Sequence, residues 1–334
     1  MKKHVITAGL GLVLSAAGVL AQGGGLASPK CQPGTIPTSP QTIAQDACQQ
    51  AYDLYQFMSP QLGLALAGGN ATLGQGSVLG GLGHFSIGAR GNVFNGKLPQ
   101  VDQFTQSTSG ARQSALPTKD QVLGLPTADA AIGIFKGLPL VLTNILGIDA
   151  LVSAAYVPTV NSNGITITPR NNWQFGWGAR VGLLSESIIV PGVSVTWIER
   201  DLPTTDMVGT AGGNELSVLN TKVKTSAWRV VASKSLIIFG VAAGIGQDSY
   251  DQSADISATV SQAGLTGTAT VPNTSQSMKR TNAFFDASLN LPLFKLVAEV
   301  GQASGGTVNT YNSFAGGRAD RSQVYGSAGL RFGW

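Results

Sequence analysis

Side chains able to do chemistry fall into three groups along this chain. His84 and Ser86 stand two apart in Leu82 to Phe94, a stretch whose alternation reads as a strand. Residues two apart on a strand share a face, so the imidazole could take the hydroxyl proton and make Ser86 a nucleophile. The second group is Arg90, Arg180, Arg229, Asp286, Glu299 and Arg331, single charges on the polar faces of separate alternating stretches. Such charges can line a lumen and favour anions, or pair with one another and with a plug; pairing is favoured because an unpaired charge in a narrow lumen is costly. The third group is Cys31 and Cys48. In an exported chain two such cysteines read as a disulfide, which would stabilise its segment by about 3 kcal/mol. With no His or second Cys pair nearby, free thiols are the alternative and a metal site is not supported.

Other chemistries lack their residues. Leu62 to Gly83 is rich in Gly, yet Gly74-Gln75-Gly76 has neither the third Gly nor the Lys-Ser/Thr of a phosphate-binding loop. A tightly turning backbone in a confined space is the better account of it. Carboxylate pairs at glycosidase or metal spacing are missing, as is a Ca²⁺ loop, so no cofactor is expected. The formal net charge of +4 is diffuse and includes Lys2 and Lys3, which argues against nucleic acid as a partner. A 43% hydrophobic content excludes wholesale disorder.

The elements that must position these residues are strands. In Asn172 to Leu183, Trp173, Phe175, Trp177, Ala179, Val181 and Leu183 oppose Asn172, Gln174, Gly176, Gly178, Arg180 and Gly182. Asn282 to Leu291 and Gln323 to Trp334 divide in the same way, and weaker cases run through Ala128 to Lys136, Ile148 to Val157, Gly192 to Arg200, Leu219 to Ser233, Ile237 to Gln247 and Phe294 to Gln302. With Leu82 to Phe94 this makes ten strands. A soluble sandwich would carry Lys, Glu and Thr on its polar face; here that face is Gly, Ser, Asn and single charges, which suits a crowded lumen. Connections alternate short and long, with long polar stretches at Asn95 to Thr127, Pro158 to Asn171, Asp201 to Glu215, Asp248 to Lys279 and Ser304 to Arg321. The fold expected is an all-β transmembrane antiparallel barrel of about 10 strands, range 8 to 14, with both barrel ends in the periplasm.

Ahead of the barrel, residues 1–21 read as a secretory signal peptide, with Lys2 and Lys3, an apolar core and Ala21 at the cleavage position. Residues 22–80 read as a plug segment and 81–334 as the barrel. A helix begins at Ser39-Pro40 with an apolar stripe through Cys48 and is expected to end at Ser59-Pro60. It is either a plug in the lumen or a periplasmic cap. The outward Trp173, Trp177, Trp197 and Trp228, with Phe332 and Trp334 at the chain's end, are expected in the interfacial girdles against outer-membrane lipid. The closing strand with its terminal aromatic resembles the signal read by the outer-membrane barrel assembly machinery.

An exported chain with a short helix, a Gly-rich segment (Pro60-Gln61-Leu62-Gly63 and Gly68-Gly69-Asn70-Ala71) and strands to a terminal aromatic resembles the FadL/TodX outer-membrane transporters. That resemblance implies an amino-terminal hatch in a barrel and passive uptake of small, hydrophobic solutes; this chain is shorter, with about ten strands against the family's fourteen. The rival is a non-conducting anchor barrel that binds periplasmic or secreted proteins. His-x-Ser on a barrel strand also resembles the outer-membrane phospholipase arrangement. That pair meets lipid from outside, whereas His84 and Ser86 share the polar side with Arg90, and Ile87-Gly88 departs from the family's Ser-Asn-Gly. A hydrolase is therefore the remote alternative, and no enzyme is expected.

Overall fold

The computed structural model describes residues 28–32, 39–162, 164–211, 213–262, 264–318 and 320–333. The expected signal peptide and Trp334 lie outside the described residues. Ten strands form a closed ring: β1 Phe85–Pro99, β2 Thr118–Phe135, β3 Gly147–Tyr156, β4 Trp173–Leu184, β5 Gly192–Asp201, β6 Asn214–Ser235, β7 Phe239–Gln262, β8 Leu265–Asn290, β9 Lys295–Ala303 and β10 Gln323–Gly333. Each pairs antiparallel with the next, and β10 closes on β1 with Phe332 opposite Ile87. Closure leaves no sheet edge, which is what a bilayer requires of strands.

The polar stretch Asp248 to Lys279 is one of the long outer connections, and its part Asp255 to Val271 could supply extra strand or a hairpin; it is strand almost throughout. β7 and β8 continue as a paired ribbon to Gln262 opposite Leu265, with Gly264 before Leu265 at φ 78°. Here the outward face meets water and not lipid, so both faces are polar and the apolar alternation disappears while the pairing persists. Parts of two other outer stretches are also strand: Thr205–Ala211 pairs with β6, and Ile165–Pro169 pairs with it in turn.

An α-helix, α1, spans Ser39–Ala67. It begins at the outer tip of the β7–β8 ribbon, where Gln41 Nε2 donates to Thr268 O at 2.8 Å, and runs down inside the barrel for about 43 Å at 1.5 Å per residue. The structure thus decides between plug and cap: α1 fills the lumen. It also passes through Pro60, where the sequence predicted its end. Proline removes one backbone donor at a cost of about 3 kcal/mol. Enclosure outweighs this, since Tyr55, Phe57, Met58 and Leu64 on all sides of the break are buried, and the Ser59 hydroxyl donates to Tyr55 O at 2.7 Å. The fit is close: a Cβ at Gly63 would lie 2.6 Å from the Tyr250 ring. Phe57 stacks on Phe314 of an outer loop with ring centroids 4.0 Å apart.

Candidate functional site

After Ala67 the chain leaves the helix at Gly69, with φ 87°, and threads as an irregular segment to β1. A buried irregular backbone must have its N–H and C=O groups satisfied from outside itself. The barrel wall does this with charged side chains of two signs. Guanidinium groups take the carbonyls: Arg229 Nη2 donates to Ala67 O at 3.1 Å, Arg90 Nη1 to Gly68 O at 3.0 Å and Arg331 Nη1 to Leu73 O at 2.7 Å. The first two sit at the helix C-terminus, where cations also match the negative end of the helix dipole. Carboxylates take the amides: Asn70 N donates to Glu299 Oε2 at 2.8 Å, Gly74 N to Asp286 Oδ2 at 2.9 Å and Leu79 N to Asp149 at 3.2 Å. Asp286 and Glu299 are direct cross-strand neighbours on β8 and β9.

The same wall charges pair among themselves. Arg90 bonds Asp129 at 2.7 Å, Arg200 shares Asp129 at 3.3 Å, Arg180 meets Asp149 at 2.6 Å and Arg229 meets Asp248 at 2.6 Å. Arg90, Arg180, Arg229, Asp286, Glu299 and Arg331 thus all face the lumen. Asp129, Asp149, Asp248, Arg200 and Asn92, whose amide donates to Leu64 O at 3.0 Å, complete the network and were not singled out from sequence. A lone Asp in an Ala-rich or Ile-rich strand, as at Asp129 and Asp149, was the available signal. Between plug and wall beside Arg90 and Asp129 the free space is about 20 Å³, enough for one water.

His84 does not join this network. It precedes β1 in the turn after Gly83, is exposed at the short-turn rim, and its ring makes no hydrogen bond among the described residues, while Ser86 is buried in the wall. Strand alternation does not govern a residue outside the strand; His84 and Ser86 border one cavity at this rim, but no hydrogen bond joins imidazole to hydroxyl.

In the outer half, two buried carboxylates seven residues apart on α1 hold the outer loops. Asp46 accepts from Ser107 N and Arg112 N, each at 2.8 Å. Asp53 accepts from Asn312 N and Nδ2, each at 2.8 Å, and from Tyr311 N at 3.0 Å. Burial raises both carboxyls above the usual range, Asp53 to about 6, against the opposing pull of those donors. The disulfide Cys31–Cys48 ties the preceding segment to the same stretch of helix.

Outside, the barrel is apolar. Trp173, Trp177, Trp197 and Trp228 are all exposed, Trp177 and Trp197 meet edge to face at 4.9 Å, and Trp197 lies opposite Trp228. Ile87, Ile132, Val152, Ile245, Phe285, Val300 and Phe332 continue that surface around the ring. Water would not tolerate so large a continuous patch, and lipid requires it. The chain is a transmembrane β-barrel.

No family model matches the sequence, and no curated relative does. Among solved structures the barrel is similar to OmpT, an outer membrane protein of Vibrio cholerae, at 9% identity over 75% of this chain and 96% of that one, TM-score 0.22. It is also similar to the transport unit of the autotransporter AIDA-I from Escherichia coli (7% identity, 86% and 99% covered, TM-score 0.29) and to the Ralstonia pickettii toluene transporter TbuX (10%, 80% and 96%, TM-score 0.26).

Proposed function

We propose that this barrel resides in the outer membrane of a Gram-negative-type bacterium and passes small solutes, with residues 39–80 as its gate. Export would use the segment 1–21, and the closing strand would be the part recognised by the assembly machinery. The observation that carries the reading is what fills the lumen. It is occupied in large part by the chain ahead of β1, as at Gly182, where a Cβ would lie 2.7 Å from Val78 of that segment. Displacing the plug would leave a path roughly as wide as a helix, about 10 Å, lined with charged and hydroxyl groups that water can solvate. The hydrophobic solutes implied by the FadL/TodX resemblance belong to this reading as one class to try first.

The test is a removable tether. A Cβ placed on Gly74 would stand 3.6 Å from Val297 Cβ, within disulfide range, so Gly74→Cys with Val297→Cys should lock plug to wall. In liposomes the oxidised double variant should pass no solute and the reduced form should recover the parent's flux, with the parent under reductant as control. Equal flux through locked and unlocked barrels would sink the gate. Folded barrels that never conduct would favour the anchor instead.

A further inference from the structure

We propose that the barrel's short-turn mouth, its periplasmic end, binds a phosphate-class oxyanion between Lys295 and Arg331. These residues are direct register partners on β9 and β10 and both face inward. Like charges placed opposite each other on a strand pair destabilise it. Elsewhere in the lumen the barrel avoids that cost, since Arg90, Arg180, Arg200 and Arg229 each bond a carboxylate. Here it does not: Arg331 bonds only plug carbonyls, and Lys295 makes no hydrogen bond or ion pair among the described residues. Glu186, on the neighbouring short turn, accepts from the Ser235 amide and, at 3.4 Å, from the Ser233 hydroxyl; it bonds neither cation and offsets their charge only in part.

The two cations border a cavity of about 290 Å³ at the rim, with Ser86, His84 and Gln75 as further polar walls and Phe294 among the apolar ones. The cavity exists with the plug in place, so the proposal does not depend on solute passage. Two opposed cations, offset only in part by Glu186, call for an anion with several acceptor oxygens. A phosphate carries about −1.5 to −2 at neutral pH and three or more acceptor oxygens, whereas a carboxylate carries one charge. The guanidinium nitrogens of Arg331 not used on the plug offer the planar fork that suits such oxygens, and the lysine adds a mobile point charge. The phosphate could be free in the periplasm or belong to the headgroup of an anionic lipid at the adjacent membrane edge.

The experiment uses the full chain, with the folded barrel checked by its heat-dependent gel mobility. Inorganic phosphate is titrated by calorimetry into protein in non-ionic detergent, and melting is compared in phosphatidylglycerol and phosphatidylcholine vesicles. Saturable binding of one phosphate per barrel, weakened at least tenfold in Lys295→Gln and kept in Lys295→Arg, is expected for a free ligand. A Lys295-dependent gain in melting temperature confined to phosphatidylglycerol vesicles would assign the headgroup as the source. Without phosphate, Lys295→Gln should melt higher than the parent, because the like-charge contact is gone. A variant that melts lower there, binding that survives Lys295→Gln unchanged, or no response to phosphate or lipid would overturn the proposal.

Discussion

The helical half of the plug, Ser39–Ala67, and the glycine-rich half that follows, residues 68–84, lie end to end in one lumen and are held by different forces. The helix satisfies its own backbone and is gripped by apolar packing, with Ala47, Leu54, Phe57 and Met58 in one buried cluster with Leu98, Ile256 and Phe314. The lower segment has no ladder of its own. It depends on Arg90, Arg331, Asp149, Asp286 and Glu299 for its hydrogen bonds. Packing is insensitive to charge, while a charged network fails when one member is lost, so the lower half is the part of the plug that a local change can release.

The largest effect should come from the network. Asp149→Ala leaves Arg180 buried without its carboxylate and removes the acceptor of Leu79 N, which should cost about 3–5 kcal/mol. Cleavage within 68–84 by protease added at the short-turn end should rise while the helix stays protected. Equal exposure of both halves would erase the distinction. Leu54→Ala should cost about 2–4 kcal/mol and show the opposite pattern, with hydrogen exchange rising in α1 first.

The wall itself can be set against the plug. Val181 stands four residues along β4 from Trp177, about 10 Å along the axis at 3.3 Å per residue and a tilt near 40°. Val181→Arg on the lipid face should lower barrel stability in bilayers by about 2–4 kcal/mol without changing plug protection. Unchanged melting would count against that face assignment.

The smallest effect is on pH. A carboxyl raised by burial binds its proton more readily folded than unfolded, so its burial cost is greatest when ionised and is relieved as pH falls through the folded value. With Asp53 at about 6 folded and 3.8 as its ordinary value, lowering pH from 7 to 5 should tighten the outer loops on α1 by about 1 kcal/mol. Loop exchange protection should follow that trend, and Asp53→Asn should flatten it. A rise in exchange on acidification would reverse the sign and place the control elsewhere.

Legibility tracked environment. All ten ring strands could be read where one face meets lipid, because an apolar set then alternates with a smaller or more polar one, most cleanly in Asn172 to Leu183. The outer parts of β7 and β8 could not, since Thr, Ser, Ala and Asp serve equally on a face meeting water and a face meeting α1. The local rule for proline ends the helix at Pro60, but enclosure carries it on to Ala67. The alternation that includes His84 starts one residue before the strand does, at Phe85.

By itself the sequence determined the period of its strands and therefore which residues face lipid and which face inward, because alternation is a property of each strand alone. It also determined that the lumen would hold charges of both signs. Only the tertiary structure decided their partners. Asp129 on β2 bonds Arg90 on its neighbour β1 and also Arg200 on β5, three strands away, since barrel closure brings distant strands across one lumen. The direction of the plug, entering from the outer tip and leaving beside Lys295 and Arg331, was likewise decided by which loops and wall charges could satisfy its backbone, and those meet only once the ring has closed.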